Sequence, residues 1–170
     1  MFKQLIVLVF ISLIVIACGG MKFTFQGGTI PPDAQTLSVQ TFFDDVGAGP
    51  ADLNVNITER LRDYFQRNTR LALVRQDGDL QFEGSITGYE VAPAASTAGE
   101  NQQAALQRLT ITVQVQYVNT FDEKNNFDKS FSFFSDFDAA QNLTDVEEAL
   151  IEEIFEQIVL DIFNASVANW

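Results

Sequence analysis

Four stretches of the chain alternate between apolar and polar residues with a period of two. They cover residues 37–43, 80–86, 109–117 and 127–137, and the last of them is rich in phenylalanine. Alternation of this kind is typical of a half-buried strand, because successive side chains point to opposite faces of a sheet. The pattern shifts beyond Gly88, which predicts a β-bulge there.

Two longer stretches carry apolar residues every three or four positions, as an amphipathic helix does. The first covers residues 51–69, and the second runs from about Asp145 to Ala168. Thr144 and Glu147 stand where the second helix begins, which predicts a capping box. Acidic residues cover the polar side of this helix. Such carboxylates also occur in catalytic pairs, but a solvated acidic face explains them better.

The order of these elements predicts a two-layer α+β sandwich. In the simplest packing, two helices lie on one face of a mixed or antiparallel sheet of about four strands. A short apolar run at 71–74 also favours a strand. The opposite face of the sheet carries threonine, serine and glutamine and has no helix to cover it. We expect a partner or a ligand to bind on that uncovered face.

The N-terminal residues predict a lipoprotein signal peptide. Lys3 precedes an apolar run of 13 residues, Leu5 to Ala17, whereas a membrane-spanning helix needs roughly 20. Cys18 follows this run and is the only cysteine of the chain, so a disulfide within the chain is not its purpose. We expect Cys18 to carry the lipid. The predicted divisions are a signal peptide at 1–17, a lipidated tether at 18–35 and a folded domain at 36–170.

Charge and composition argue against several classes of function. The formal net charge is −13, which disfavours sequence-independent binding to nucleic acid. Histidine is absent from the sequence, which removes the most common general base and most zinc sites. We expect no catalysed reaction, no metal and no cofactor other than the lipid on Cys18. An enzyme would need a cleft in which acids such as Asp136 and Asp138 converge.

Several segments follow one another in a characteristic order. They are the lipobox at Cys18, the spacer Thr29–Ala34, the segments Gly78–Tyr89 and Arg108–Val113, and a last helix through Asp145 to Trp170. This combination resembles the LptE family of lipopolysaccharide-assembly lipoproteins, and the likeness covers nearly all of the mature chain. The resemblance implies a two-layer α/β sandwich, in agreement with the order of the elements.

The resemblance also implies a location and a set of partners. Members of the family plug the lumen of the outer-membrane β-barrel LptD, help it to assemble and help lipopolysaccharide to reach the outer leaflet. The implied location is the outer membrane, with the lipid anchor on the periplasmic side and the domain in the barrel lumen. The basic residues through which the family binds lipopolysaccharide have no residue-by-residue match in this sequence.

Arginines supply a separate candidate site for phosphate groups. The guanidinium group matches phosphate geometry well, so the phosphates of lipid A are conceivable ligands. The candidates are Arg60, Arg62, Arg67, Arg70 and Arg75, together with Arg108 at the start of the long strand. The simpler interpretation is that the first five line the polar side of helix one and its exit, where they offset the acidic remainder.

A function of another class stays open, namely a lipid-anchored periplasmic module that binds a small or lipidic ligand. It would use the phenylalanine-rich strand as its pocket. That strand carries Phe127, Phe131, Phe133 and Phe137 on one face and Phe134 on the other. An open cavity among the first four rings favours the binding module, whereas tight packing favours a scaffold.

Overall fold

The computed structural model of the protein describes residues 30–94 and 105–167. The strands are β1 (Thr36–Val39), β2 (Phe43–Asp44), β3 (Ala72–Val74), β4 (Leu80–Pro93), β5 (Leu106–Asn119) and β6 (Phe127–Asp138). The helices are α1 (Leu53–Asn68) and α2 (Leu143–Val167), and a 3₁₀ turn at Glu123–Asn125 joins β5 to β6. Cys18 and the tether up to Thr29 lie outside the described residues, so lipidation stays a prediction.

The strands form one mixed sheet in the order β3–β1–β4–β5–β6, and β2 pairs with β4 beyond the end of β1. The pairs formed by β1, β2 and β3, including those with β4, are parallel, whereas the pairs β4–β5 and β5–β6 are antiparallel. Both helices pack on the same face of the sheet. The predicted two-layer α+β fold is confirmed, with six strands in place of about four.

The predicted first strand divides in two because Phe42 leaves the sheet ladder. Its backbone N–H donates to Oγ1 of Thr58 at 3.0 Å, and its carbonyl accepts from Nδ2 of Asn54 at 3.1 Å. Both partners belong to α1, so helix side chains replace the sheet neighbour as hydrogen-bond partners. The ring of Phe42 is 1% exposed and lies beside Gly84, which has no side chain to occupy that space.

The core lies between the sheet and the two helices. Every fourth residue of α1 from Leu53 to Phe65 is at most 1% exposed, which confirms the predicted apolar stripe. The ring of Phe65 lies 5.0 Å from that of Phe82 on β4, which lies 4.8 Å from that of Tyr117 on β5. Burial of each such side chain stabilises the fold by about 1.5–3 kcal/mol. Among the described residues, no helix has the length and apolar character needed to span a bilayer.

Helix α2 begins at Leu143, slightly before the predicted start. Its cap is Asn142, whose Oδ1 accepts from the backbone N–H of Thr144 at 3.3 Å. Thr144 and Glu147 therefore lie inside the helix, and the predicted capping box is wrong. Glu147 instead accepts a hydrogen bond from the hydroxyl of Tyr89. Burial, and after it the Glu147 carboxylate, raise the pKa of Tyr89.

The predicted bulge in β4 is confirmed and explains that contact. The register of β4 with β5 shifts between Ile86 and Gly88. The extra residue reverses which side chains face the helices, because strand side chains alternate between faces. Tyr89 consequently lies on the helix side of the sheet, where it reaches α2.

Asp79 joins the chain ahead of β4 to the start of β1. Its Oδ2 accepts from the backbone N–H of Gln35 at 2.8 Å, and from the N–H and Oγ1 of Thr36 at 2.9 and 2.8 Å. The hydroxyl of Thr36 in turn accepts from the N–H of Asp79 at 2.9 Å. These bonds favour the ionised carboxylate, and they lower the pKa of Asp79, with the bond from Gln35 as the largest cause.

Asp79→Ala should therefore destabilise the fold by about 1–2 kcal/mol at neutral pH. Since the folded pKa is depressed, the carboxylate stabilises the fold above its unfolded pKa of about 3.9, and this contribution is lost as the pH falls through the folded pKa. Asp79→Asn is the matched control, because it removes the charge but keeps an oxygen acceptor. Urea unfolding at about pH 7 and at about pH 3 measures both variants. If the difference in free energy of unfolding between wild type and Asp79→Ala is equal at both pH values, this account is wrong.

Candidate functional site

The sheet face that the helices leave uncovered is the first candidate surface, and we call it the open face. It is formed by even-numbered residues of β5 from Arg108 to Val118 and of β6 from Asp128 to Asp136. The odd-numbered residues of β5 from Leu109 to Tyr117 are at most 1% exposed beneath the helices. The uncovered polar face expected from the sequence is confirmed in the described part of the chain.

Side chains of the open face pair with one another across β5 and β6. The hydroxyls of Thr112 and Ser132 lie 2.9 Å apart, and the amide of Gln114 donates to the carboxylate of Asp128. Each pair gives its members a hydrogen-bond partner within the protein. Cross-strand pairs also restrict the side-chain rotamers, so the open face presents an ordered polar surface.

Arg108, one of the predicted phosphate contacts, lies on the open face and already has an anionic partner. Its Nε and Nη2 donate to the two carboxylate oxygens of Asp136 at 2.6 and 2.9 Å. Its guanidinium carbon lies 3.5 Å from the ring centroid of Phe134. The hydrogen bond from Arg108 lowers the pKa of Asp136. A phosphate group would have to displace this carboxylate to reach the Arg108 fork.

A hollow of 330 Å³ lies near the middle of the open face. Phe43, Asp45, Glu83 and Asp128 are among the residues that line it, and no arginine or lysine is among them. Three carboxylates without a cation repel a phosphate. The hollow therefore suits a neutral or cationic group and not an anionic headgroup.

Two of the candidate arginines lie on the helix side of the sheet. Arg60 and Arg67 line a groove of 450 Å³ between α1 and α2. Nη2 of Arg60 lies 3.6 Å from a carboxylate oxygen of Glu152, and its Nε donates to Oδ1 of Asn56 at 2.6 Å. Both ends of the Arg60 fork therefore have polar partners, although the pair with Glu152 is exposed and weak.

The other three arginines of this region are not among the residues that line that groove. Arg62 donates to the carbonyl of Val39 and to the carboxylate of Glu59. Together with Arg75 it lines a hollow of 380 Å³ beside β3. Arg70 follows the end of α1. The structure thus distributes the six candidate arginines over four places: the groove, the hollow beside β3, the segment after α1 and the open face. Phosphate binding by them stays a prediction.

The fold and its open face can be compared with known proteins. A family model described as LptE, lipopolysaccharide-assembly, matches residues 34–166. The chain belongs to the LptE family. The match runs from before β1 into the last turn of α2, so the resemblance seen in the sequence is confirmed. No curated protein matches this LptE-family chain.

Solved structures similar to the LptE-family chain include a hypothetical protein from Chlamydia trachomatis, with a TM-score of 0.52 and 9% identity over 80% of this chain and 99% of that one. A minor lipoprotein from Acinetobacter baumannii gives a TM-score of 0.49 at 14% identity, over 77% of this chain and 91% of that one. The rare lipoprotein B from Shewanella oneidensis gives a TM-score of 0.44 at 11% identity, over 75% of this chain and 89% of that one. The first likeness supports a shared fold, and the two lower scores support nothing by themselves.

The phenylalanine-rich strand of the LptE-family chain is packed. Phe137 is 5% exposed, and Phe127, Phe131 and Phe133 pack against the core. The ring of Phe127 lies 5.2 Å from that of Tyr117 and 6.0 Å from that of Phe131. Such distances are typical of aromatic rings in contact. This packing favours the scaffold over the predicted ligand pocket.

Sequence reasoning missed Phe43. The predicted first strand includes it as an apolar position, yet its side chain is 69% exposed at the hollow of the open face. A signal was present in the sequence, because the adjacent residues Phe42 and Phe43 cannot both face the core from one strand. Phe42 took the core position and left Phe43 on the surface.

Proposed function

We propose that this chain is a lipid-anchored outer-membrane lipoprotein that plugs the lumen of an LptD-like β-barrel and acts with it in lipopolysaccharide assembly. The observation that carries the proposal is the LptE family match over residues 34–166. The proposed role is structural and involves no catalysed reaction and no cofactor. Its partners are the barrel, lipopolysaccharide and, through Cys18, the membrane.

The open face supports this role on physical grounds. The lumen of an outer-membrane barrel is polar, so a plug that meets it needs a polar surface. The open face offers paired threonine, serine and glutamine side chains, such as Thr112 and Ser132 at 2.9 Å. We therefore assign the open face to the contact with the barrel wall.

Lipopolysaccharide phosphates fit the helix side of the domain better than the open face. The hollow of the open face is lined by three carboxylates and no cation, whereas the groove between α1 and α2 carries Arg60 and Arg67 together with two carboxylates, Glu152 and Glu156. Only the groove offers cations to a phosphate, although Glu152 competes for Arg60 at 3.6 Å. A phosphate in that groove would meet two guanidinium groups, which are the side chains best matched to it. We propose this groove as the contact for lipid A phosphates.

Affinity purification of the tagged full-length chain from detergent-solubilised outer membranes tests the barrel partnership. Wild type should bring down a large β-barrel of the LptD kind in roughly stoichiometric amount. Thr112→Trp adds bulk on the open face and should lower the recovered barrel at least about fivefold, which corresponds to roughly 1 kcal/mol of lost contact. Glu148→Trp is the matched control, since Glu148 is an exposed residue of α2.

The outcomes separate the alternatives. Thermal unfolding of both variants shows first whether each keeps its fold. Equal barrel recovery with Thr112→Trp and Glu148→Trp contradicts the assignment of the open face. Absence of any barrel with wild type, together with a co-purifying lipid or small ligand, contradicts the plug role and supports the binding module.

A further inference from the structure

Strand β6 forms one edge of the sheet. It is 12 residues long and pairs with β5 on one side. Among the described residues, no strand pairs with its other side. The strand keeps a continuous antiparallel register with β5 from Phe127 to Asp138. Long edges of this kind are binding sites for a further strand unless the protein blocks them.

The hydrogen-bond phase of β6 shows which residues face outward. The N–H of Ala139 donates to the carbonyl of Ala105 at 2.8 Å. In an antiparallel pair, residues bonded to the neighbour recur at every second position, so the odd-numbered residues of β6 bond to β5. The even-numbered residues from Asp128 to Asp136 therefore direct their N–H and C=O groups away from the sheet. A second bond agrees with this assignment, because the N–H of Ala94 donates to the carbonyl of Leu106. The even-numbered residues of β5 therefore bond to β4, and its odd-numbered residues bond to β6.

We propose that the outer edge of β6 binds an extended, basic segment of a partner protein as an additional strand. The backbone groups of residues 128, 130, 132, 134 and 136 supply the pairing. This binding mode obtains its affinity from main-chain hydrogen bonds and its specificity from alternate side chains. The proposal concerns a surface other than the centre of the open face and does not rest on the plug role.

The side chains beside this edge define the chemistry of the partner. On the open face the edge presents the acidic residues Asp128 and Asp136, of which Asp136 already pairs with Arg108. The chain as a whole carries a net charge of −13. On the helix side it presents the exposed Lys129 and the partly buried rings of Phe131 and Phe133. A strand that pairs with β6 places alternate residues on these two faces. The complementary segment therefore alternates lysine or arginine with apolar residues.

A second copy of the chain is a poor partner for the same edge. Two β6 strands that pair antiparallel and centred on Ser132 place Asp128 of each copy opposite Asp136 of the other. Like charges directly opposite each other destabilise a strand pair. Acidic side chains at these positions act against self-association, while they favour a basic partner.

A synthetic peptide tests the proposal with the purified full-length chain in detergent. The probe has about nine residues, which matches an ordinary strand length, and alternates lysine with valine between blocked ends. A second peptide with glutamate in place of lysine is the charge control. Binding is followed by fluorescence anisotropy of the labelled peptides and by amide hydrogen exchange along β6.

The decisive variant is Ser130→Pro, because it removes an outward N–H and leaves the net charge unchanged. Proline is tolerated in an edge strand where its missing N–H faces away from the sheet. Ser130→Ala is the matched control, since it loses the hydroxyl but keeps the N–H. Ser132→Pro and Ser132→Ala form a second pair that keeps the test valid if Ser130→Pro fails to fold.

We expect the lysine peptide to bind wild type and Ser130→Ala about equally and to bind Ser130→Pro at least about tenfold more weakly. The amides of residues 128–136 should exchange more slowly in the wild-type complex. Equal binding by Ser130→Pro and Ser130→Ala overturns the proposal, because it shows attraction by charge without strand pairing. Failure of wild type to bind the lysine peptide, equal binding of the glutamate peptide, or self-association through β6 overturns it as well.

Discussion

Gly84→Ala should destabilise the domain by about 3 kcal/mol, because the site has no room for a methyl group. A Cβ added at Gly84 would lie 2.3 Å from the backbone carbonyl oxygen of Gln114 and 3.1 Å from the ring of Phe42. The carbonyl belongs to β5 and cannot retreat without disturbing its pairing with β4. The ring of Phe42 is 1% exposed, so it cannot swing into solvent without loss of burial.

Gly88→Ala on the same strand is the matched control. Its added Cβ would meet the side chain of Thr112 at 3.1 Å on the open face, a looser contact than the 2.3 Å to backbone oxygen at Gly84. We expect a change of less than about 1 kcal/mol, since alanine also reduces the conformational freedom of the unfolded chain. Urea unfolding of both variants measures the difference. Similar losses in the two variants would show that close packing beside Gly84 is not the cause.

The expected loss is large in relation to the stability of a domain of this size. Natural domains are stable by about 5–15 kcal/mol, so about 3 kcal/mol is a substantial fraction. Such a change also lowers the amount of folded protein in a cell. Gly84 thus allows β5 and the ring of Phe42 to approach β4 closely, because it has no side chain of its own.

Cys18→Ala should transfer the protein from the membrane fraction to the soluble fraction without unfolding it. Each buried methylene of an acyl chain contributes about 0.8 kcal/mol, and two or more chains make attachment stable where one does not. Cys18 precedes the first described residue, Ile30, and the core of the domain is built from the residues that follow. The lipid is therefore expected to determine location and not stability.

Fractionation of membranes and mass spectrometry of the N-terminus measure this prediction together. Gly19→Ala is the matched control, because it changes the neighbouring residue and keeps the thiol. The wild-type N-terminal peptide should begin at Cys18 and carry the mass of its acyl chains. Tight membrane binding by Cys18→Ala would refute the anchor, and an uncleaved N-terminus in that fraction would identify the apolar run at 5–17 as the tether.

The alternating strands and the two helical stripes were predictable because the burial of one face of an element sets the spacing of apolar residues along that element. The odd residues of β5 face the core, and the sequence 109–117 places apolar side chains at those positions. The stripe of α1 likewise places apolar residues at every fourth position from Leu53 to Phe65. Each pattern depends on the geometry of a single element, so no knowledge of its neighbours was needed.

The errors arose where one element depends on another. The strand at 37–43 breaks because Thr58 and Asn54 of α1 take over the backbone groups of Phe42. The capping box failed because the residue that caps α2 is Asn142. In both cases a side chain competes for backbone groups, and only the folded chain shows which competitor is in reach.

For the candidate site, too, the sequence predicted the residue types and the tertiary structure decided their arrangement. Composition alone indicated arginines suited to phosphate, but their grouping depended on strand order and on the packing of α1 against α2. Arg108 lies on the opposite side of the sheet from Arg60 and is engaged by Asp136. Sequence spacing records neither the face of the sheet nor the nearest carboxylate.

The sequence by itself determined the fold class, the faces that its strands and helices bury, the family and the predicted lipid attachment at Cys18. Those properties depend on local periodicity and on short motifs that are read along the chain. The tertiary structure alone decided the strand order, the pairing of open-face side chains, the separation of the arginines and the outward phase of β6. Those properties depend on contacts between residues far apart in sequence, such as Arg108 and Asp136. Hydrogen bonds and charge interactions depend on the distance between groups in space, which only the folded chain sets.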